Sequence, residues 1–177
     1  TEALRLYSLA AAQNDPIGHY NLGWLYESGH GVPQDYAKAR QFYEKAAAAN
    51  DPYAMNRLGH YASEGFGGEV DDVRAVKLFE QAAAKNLPLG IANLGFMYME
   101  GRGVPRDAKR AAQLSIKAAE LGDATAMVNL GVMFLRGDGL PKSFERALYW
   151  TRQAADRGQP ADSELKPAGI PINYRPP

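Results

Sequence analysis

Leu22-Gly23-Trp24-Leu25-Tyr26-Glu27-Ser28-Gly29-His30-Gly31-Val32-Pro33-Gln34-Asp35 decides the fold, because its landmarks return every 36 residues. Leu22, Leu58, Leu94 and Leu130 fall in register, each followed by a glycine at Gly23, Gly59, Gly95 and Gly131. Gly29, Gly65, Gly101 and Gly137, and two residues later Gly31, Gly67, Gly103 and Gly139, mark a Gly-x-Gly turn in every unit. A third column holds alanine pairs at Ala46-Ala47, Ala82-Ala83, Ala118-Ala119 and Ala154-Ala155. No insertion or deletion breaks the register over residues 15–50, 51–86, 87–122 and 123–158, read as repeats 1 to 4. An internal period of this length marks an array of stacked units.

Each unit reads as two helices. Asp15-Pro16 and Asp51-Pro52 pair an N-capping carboxylate with proline at the first helical position, where a missing N–H costs nothing. The second helix opens after Asp35, Asp71, Asp107 or Ser143 and ends at Asn50, Asn86, Gly122 or Gly158. Asparagine and glycine tolerate the left-handed backbone that terminates a helix, so this column is a stop signal. The turn of the second unit, Gly65-Phe66-Gly67-Gly68-Glu69-Val70, lacks the Val-Pro of its neighbours and predicts a looser connection. Gly18, Ala54, Gly90 and Ala126 form one small-residue column, and Ala39, Ala75, Ala111 and Ala147 another, where helices approach closely. Tyr26, Tyr98 and Phe134 on first helices, and Phe42, Leu78, Leu114 and Trp150 on second helices, are the expected large core residues. One such hairpin cannot bury its apolar face alone, so neighbours stack, which gives an all-α fold of the α-solenoid class.

The motif Leu22-Gly23-x-x-Tyr26-x-x-Gly29-x-Gly31-Val32-Pro33-x-Asp35, with Ala39 and Ala46-Ala47, closely resembles the Sel-one-like repeat, a relative of the tetratricopeptide repeat with a longer turn. The resemblance covers residues 15–158 in four copies. It implies a right-handed tetratricopeptide-like superhelix of stacked helix-turn-helix units. The concave face of such a superhelix binds proteins or peptides in signalling, secretion, envelope assembly or quality control. It also implies a bacterial source and favours a periplasmic or exported location. A branch of that family pairs cysteines between helices; this chain has none.

The two ends depart from the pattern. Residues 1–14 keep the register as a second helix without its first: Ala3 aligns with Ala39, Leu6 with Phe42, Ala10-Ala11 with Ala46-Ala47 and Asn14 with Asn50. The expectation is that the sequence begins inside a longer repeat array, the alternative being a lone capping helix. After Gly158 a fifth unit starts and breaks at Pro167. The segment 159–177 is proline-rich, with Ile170, Ile172 and Tyr174 alternating as an extended strand would place them. It is read as an irregular cap on the last unit or an occupant of a neighbour's groove, against simple fraying. Self-association through the orphan first helix or this tail is the corresponding partner expectation.

Composition removes several function classes. Twenty Lys plus Arg balance twenty Asp plus Glu, so no field attracts a phosphate backbone, and no nucleic-acid partner is expected. No run approaches the roughly 18 apolar residues that insertion into a membrane requires. The absence of cysteine removes disulfides, thiolate zinc sites and cysteine nucleophiles. The three histidines, His19, His30 and His60, show no metal-ligand spacing; His60 and Glu64, four apart, read as a solvated pair. The Gly-x-Gly turns join helices rather than following strands, which speaks against a phosphate loop. No catalytic residue, cofactor or metal site is expected, and the chain reads as a non-enzyme.

A ligand is expected on the first helices, whose variable positions recur at spacings of three and four and so share a face. The candidates on the concave face are Tyr20, Asn21 and Trp24 in repeat 1, and Tyr53, Asn56, Arg57 and His60 in repeat 2. Repeats 3 and 4 add Asn93, Phe96 and Glu100, then Asn129, Val132 and Arg136. Tyr, Trp and Arg dominate binding hot spots, and asparagines hydrogen-bond a peptide backbone. The competing reading is that Trp24 and Phe96 only fill space between units. Val128, Val132 and Leu135 make repeat 4 more apolar and predict a cover from the tail or a partner. The leading function is a non-catalytic scaffold or adaptor for a protein or peptide. Within the resemblance, the alternative is an immunity protein that neutralises a secreted toxin such as a type VI secretion phospholipase; an unrecognised enzyme is third.

Overall fold

Seven carboxylate and hydroxyl caps set where the helices begin. In a computed structural model, which describes residues 2–159, Asp51 and Asp123 accept from the backbone N–H of Ala54 and Ala126, each at 2.7 Å. Asp15 accepts from Ile17 N–H at 3.0 Å. Asp35, Asp71 and Asp107 accept from Lys38, Arg74 and Arg110, each at 2.9 Å, and Ser143 from Arg146 at 3.3 Å. These caps satisfy N–H groups that have no partner inside the helix. The elements are α1 (Glu2–Ala12), α2 (Pro16–Ser28), α3 (Tyr36–Ala48), α4 (Pro52–Glu64), α5 (Asp72–Ala84), α6 (Pro88–Glu100), α7 (Ala108–Glu120), α8 (Ala124–Arg136) and α9 (Phe144–Ala155). Among the described residues there are nine helices and no strand. The expected tail cap lies outside the described residues.

The stop signals work as their chemistry dictates. Asn14, Asn50 and Asn86 take φ of 58°, 66° and 57°, and Gly122 and Gly158 hold the same column at 94° and 78°. The turn of repeat 2 is not looser at its glycines: Gly65 and Gly67, at 72° and 67°, match Gly29 and Gly31 at 72° and 77°. The closing hydrogen bond matches as well, Asp71 N–H to the Ala62 carbonyl at 2.7 Å against Asp35 N–H to the Tyr26 carbonyl at 2.8 Å.

Residues up to Gly90 with Arg102–Val104 form one compact unit, and Ile91–Gly101 with the residues from Pro105 form a second. In the first unit Ala39, Tyr43, Ala46, Ala54, Leu58 and Tyr61 make a core cluster. Ala11, Leu22 and Leu25 make another, packed by Leu4, Tyr7, Val32 and Phe42. In the second unit Ile91, Met97, Met127, Leu130 and Phe134 are buried together with Ala111, Ala118, Ala147 and Ala154. The small-residue columns are therefore core contacts. The large-residue columns need one correction. On the second helices of repeats 1 and 2 the most deeply buried rings are Tyr43 and Phe79, one position after Phe42 and Leu78, which are only partly buried. The cause lies opposite: a methyl added to Gly23 would lie 2.7 Å from the Tyr43 ring, and one added to Gly59 2.5 Å from Phe79. Gly23 and Gly59 thus leave room for these rings to pass beneath the first helices of repeats 1 and 2.

Candidate functional site

The first unit presents α2 and α4. Trp24 on α2 is 42% exposed and stacks on His30 with centroids 5.1 Å apart. Tyr53 at the start of α4 is exposed, and its ring meets the half-buried Tyr20 edge-on at 6.3 Å. Tyr20 and Tyr53 thus meet between α2 and α4, with the half-buried Asn21 next to Tyr20 and Trp24 one turn further along α2. Asn56, by contrast, is 3% exposed and belongs to the interior.

Arg57 is also employed inside the molecule. Its Nε donates to Glu27 Oε2 at 2.9 Å, and its second guanidinium nitrogen pairs with Glu27 Oε1. The Tyr43 hydroxyl donates to Glu27 Oε2 at 2.6 Å. One carboxylate on α2 therefore ties α3 and α4 together. Burial opposes the Arg57 charge, but the Glu27 carboxylate outweighs it and holds the guanidinium protonated more firmly than usual. Burial, then the hydrogen bond to Glu27, push the Tyr43 hydroxyl well above the ordinary tyrosine range. His60 on α4 meets Phe79 edge-on at 5.6 Å; burial, then the Arg57 charge, lower its pKa and keep the ring neutral. Glu64 faces Arg102 at 3.8 Å, and its charge also offsets part of the lowering at His60.

The second unit brings its expected residues closer together. Phe96 and Glu100 on α6 and Asn129, Val132 and Arg136 on α8 line one depression of about 240 Å³. Its floor is Gly95, Ala111 and the nearly buried Ser115, and its rim includes Asp138. Asn93, half-buried on α6, is not among the residues that line it. Phe96 is 48% exposed and lines the depression. Part of the apolar patch expected to need a cover already has one, because Val128 and Leu135 pack on Leu148 of α9. Ser115 and Met99 were invisible as site residues in the sequence, because no single position of a repeat announces that its neighbour has become smaller. Among the described residues no cluster of three or more His, Asp or Glu side chains could hold a metal, and no helix is long and apolar enough to cross a membrane.

Comparison with known proteins places these features in a family. The Sel1 repeat family model matches residues 1–15, 16–51, 52–87, 88–123 and 124–159. No curated protein sequence matches the chain. Among solved structures, a Sel1 repeat protein from Oxalobacter formigenes is 31% identical with a TM-score of 0.84, over 92% of this chain and 67% of that one. A protective antigen of uropathogenic Escherichia coli that displays the same repeat fold is 38% identical with a TM-score of 0.81, over 86% of this chain and 33% of that one. An immunity protein from Pseudomonas aeruginosa, 22% identical with a TM-score of 0.65 over 92% of this chain and 59% of that one, shares the fold. Matches to the repeat model from residue 1 to residue 159, together with the Oxalobacter relative, establish that the chain belongs to the Sel1 repeat family.

Proposed function

We propose that the chain binds a protein or peptide segment through its first helices, with the depression between α6 and α8 as the anchor point of the second unit. Sel1 repeats are protein interaction modules, which supplies the class of function. The observation that carries the finer reading is the convergence of Phe96, Glu100, Asn129, Val132 and Arg136 around one depression. An exposed aromatic, a guanidinium and an amide within one concavity are the ingredients of a binding hot spot. Rigid helices hold them in place, so a bound segment loses entropy while the receptor loses little. In the first unit, Trp24, Tyr20 and Tyr53 offer further contact area, whereas Arg57 braces α4 against Glu27 and Asn56 lies in the interior.

The immunity reading has only the fold of the Pseudomonas protein in its favour, so the scaffold reading is the one advanced. The test is affinity capture from a bacterial lysate with three proteins compared side by side. These are the wild-type chain, a Phe96→Ala/Arg136→Ala variant, and a variant on the opposite side of α7, Gln113→Ala/Lys117→Ala. All four positions are exposed, so the variants are expected to keep their helical circular dichroism. A partner recovered by the wild type and the α7 variant and lost by the Phe96/Arg136 variant supports the face; equal recovery by all three removes it.

A further inference from the structure

The depression between α6 and α8 occupies a place that an aromatic ring fills elsewhere in the same chain. In repeat 1 that ring is Tyr43, fully buried beneath Gly23, and in repeat 2 it is Phe79 beneath Gly59. Two repeats on from Tyr43 the residue is Ser115. A methyl added to Gly95 would meet the Ser115 hydroxyl only at 3.5 Å and Leu114 Cβ at 3.3 Å, against 2.7 Å and 2.5 Å from the rings in repeats 1 and 2. The Ala111 carbonyl lies 3.4 Å from the same point, yet a depression lined by Gly95, Ala111 and Ser115 remains beside it. Repeat 4 has the small Thr151 in the same column, but its methyl packs directly against Gly131. The surroundings also correspond position by position: Met99 stands where repeat 1 has Glu27, Asn129 where repeat 2 has Arg57, and Phe96 where repeat 1 has Trp24.

We infer that this depression receives an aromatic side chain, phenylalanine in the first place, from the bound protein segment; the inference rests on the first-helix face being the binding face. The volume of about 240 Å³ exceeds the ~150 Å³ that suffices for benzene in an apolar cavity. A guest ring placed as Phe79 is would meet Phe96 as Phe79 meets His60, edge-on at 5.6 Å and 81°. Where the Tyr43 hydroxyl finds the Glu27 carboxylate, the guest ring finds the Met99 thioether, a contact suited to an unsubstituted ring rather than a phenol. The rim carries the carboxylates of Glu100 and Asp138 against the single guanidinium of Arg136. That balance favours a neutral or basic residue beside the aromatic one and disfavours an acidic neighbour.

The experiment uses the full chain with its methionine methyl groups labelled with carbon-13, because Met99 and Met133 both line the depression. It is titrated with N-acetyl-L-phenylalaninamide and, separately, with N-acetyl-L-leucinamide. Saturable ring-current shifts of the Met99 and Met133 signals with the phenylalanine probe are expected, with at least tenfold weaker binding of the leucine probe. Ser115→Phe, which restores the arrangement of repeat 2, is expected to abolish the response. Phe96→Ala, at an exposed position that leaves folding intact, is expected to weaken it about three- to tenfold. A linear response, equal binding of the two probes, or unchanged binding by Phe96→Ala overturns the inference. If the probe fails while the Phe96/Arg136 variant still loses its captured partner, the aromatic guest falls and the scaffold face stands. If the probe binds and partner recovery is indifferent to that variant, the pocket stands and the face falls.

Discussion

Arg57 sits among the exposed columns of the sequence and, with its side chain 39% exposed, spends its charge on a partner within the molecule. Its two hydrogen bonds to Glu27, a side chain only 16% exposed, leave the guanidinium as a fixed positive charge in α4. His60, one turn further along, feels it. Burial and then Arg57 lower the His60 pKa from the ordinary value of 6.5, and Glu64 and Glu27 offset only part of the shift. The sign follows from linkage: below the ordinary value the unfolded chain binds a proton that the folded chain resists, so stability is full above about pH 6.5 and falls as pH drops through the folded value. The urea midpoint of the wild type is expected to fall between pH 7.5 and pH 5.5, and that of His60→Gln to fall less. Parallel losses in the two proteins would show that His60 takes no part. Some slope remains in the variant because burial, then Lys45, lower His19 as well. None of this was legible from spacing. Glu27 and Arg57 are 30 residues apart, a separation that belongs to no helix period, and Tyr43 lay hidden behind Phe42, whose apolar side chain fitted the expected column equally well.

At the scale of the element, the sequence carried almost everything, because a cap is a local event. Each Asp or Ser assigned as an N-cap accepts from a first-turn N–H, and each Asn or Gly assigned as a stop has a left-handed backbone. What spacing alone missed was the reason for the glycine after each Leu22-type residue. That glycine is a non-local contact whose partner is a ring on the following helix in repeats 1 and 2 and a small side chain in repeats 3 and 4. The difference predicts unequal costs for one substitution. Gly59→Ala drives a methyl to 2.5 Å from Phe79, an overpacking expected to cost about 1–3 kcal/mol, of which helix propensity returns at most about 1. Gly95→Ala meets its nearest atoms at 3.3–3.5 Å, and the roughly 1 kcal/mol by which alanine exceeds glycine in a helix interior offsets the small adjustment. Urea denaturation of the two variants is expected to place Gly95→Ala near the wild type and Gly59→Ala well below it. Equal losses would mean that the ring and the serine leave the same space.

Across the whole molecule the four units share a backbone and differ in what joins them. In the first compact unit, ion pairs link side chains 30 residues apart: Glu27 with Arg57, Glu44 with Arg74 at 3.1 Å, and Asp72 with Arg102 at 2.8 Å. Arg102 also donates to the Ser63 carbonyl at 2.8 Å. Among the described residues the second unit contains no ion pair of this kind and relies on apolar packing of Met97, Met127, Leu130 and Phe134. The period made the stacking legible but not this division, because charge pairing between units depends on two variable columns at once. Partner identity was illegible for the same reason: the exposed columns vary, and the surface they form becomes visible only when the helices are placed. The division has a measurable consequence, since screening weakens charge pairs and leaves apolar burial intact or strengthened. Each of these partly exposed pairs contributes no more than about 1 kcal/mol. Raising sodium chloride from 0.05 M to 1 M is therefore expected to speed amide hydrogen exchange in α3, α4 and α5. Exchange in α7, α8 and α9 is expected to stay constant or slow. Uniform loss of protection through all the helices would place the charge pairs outside the forces that hold the first unit together.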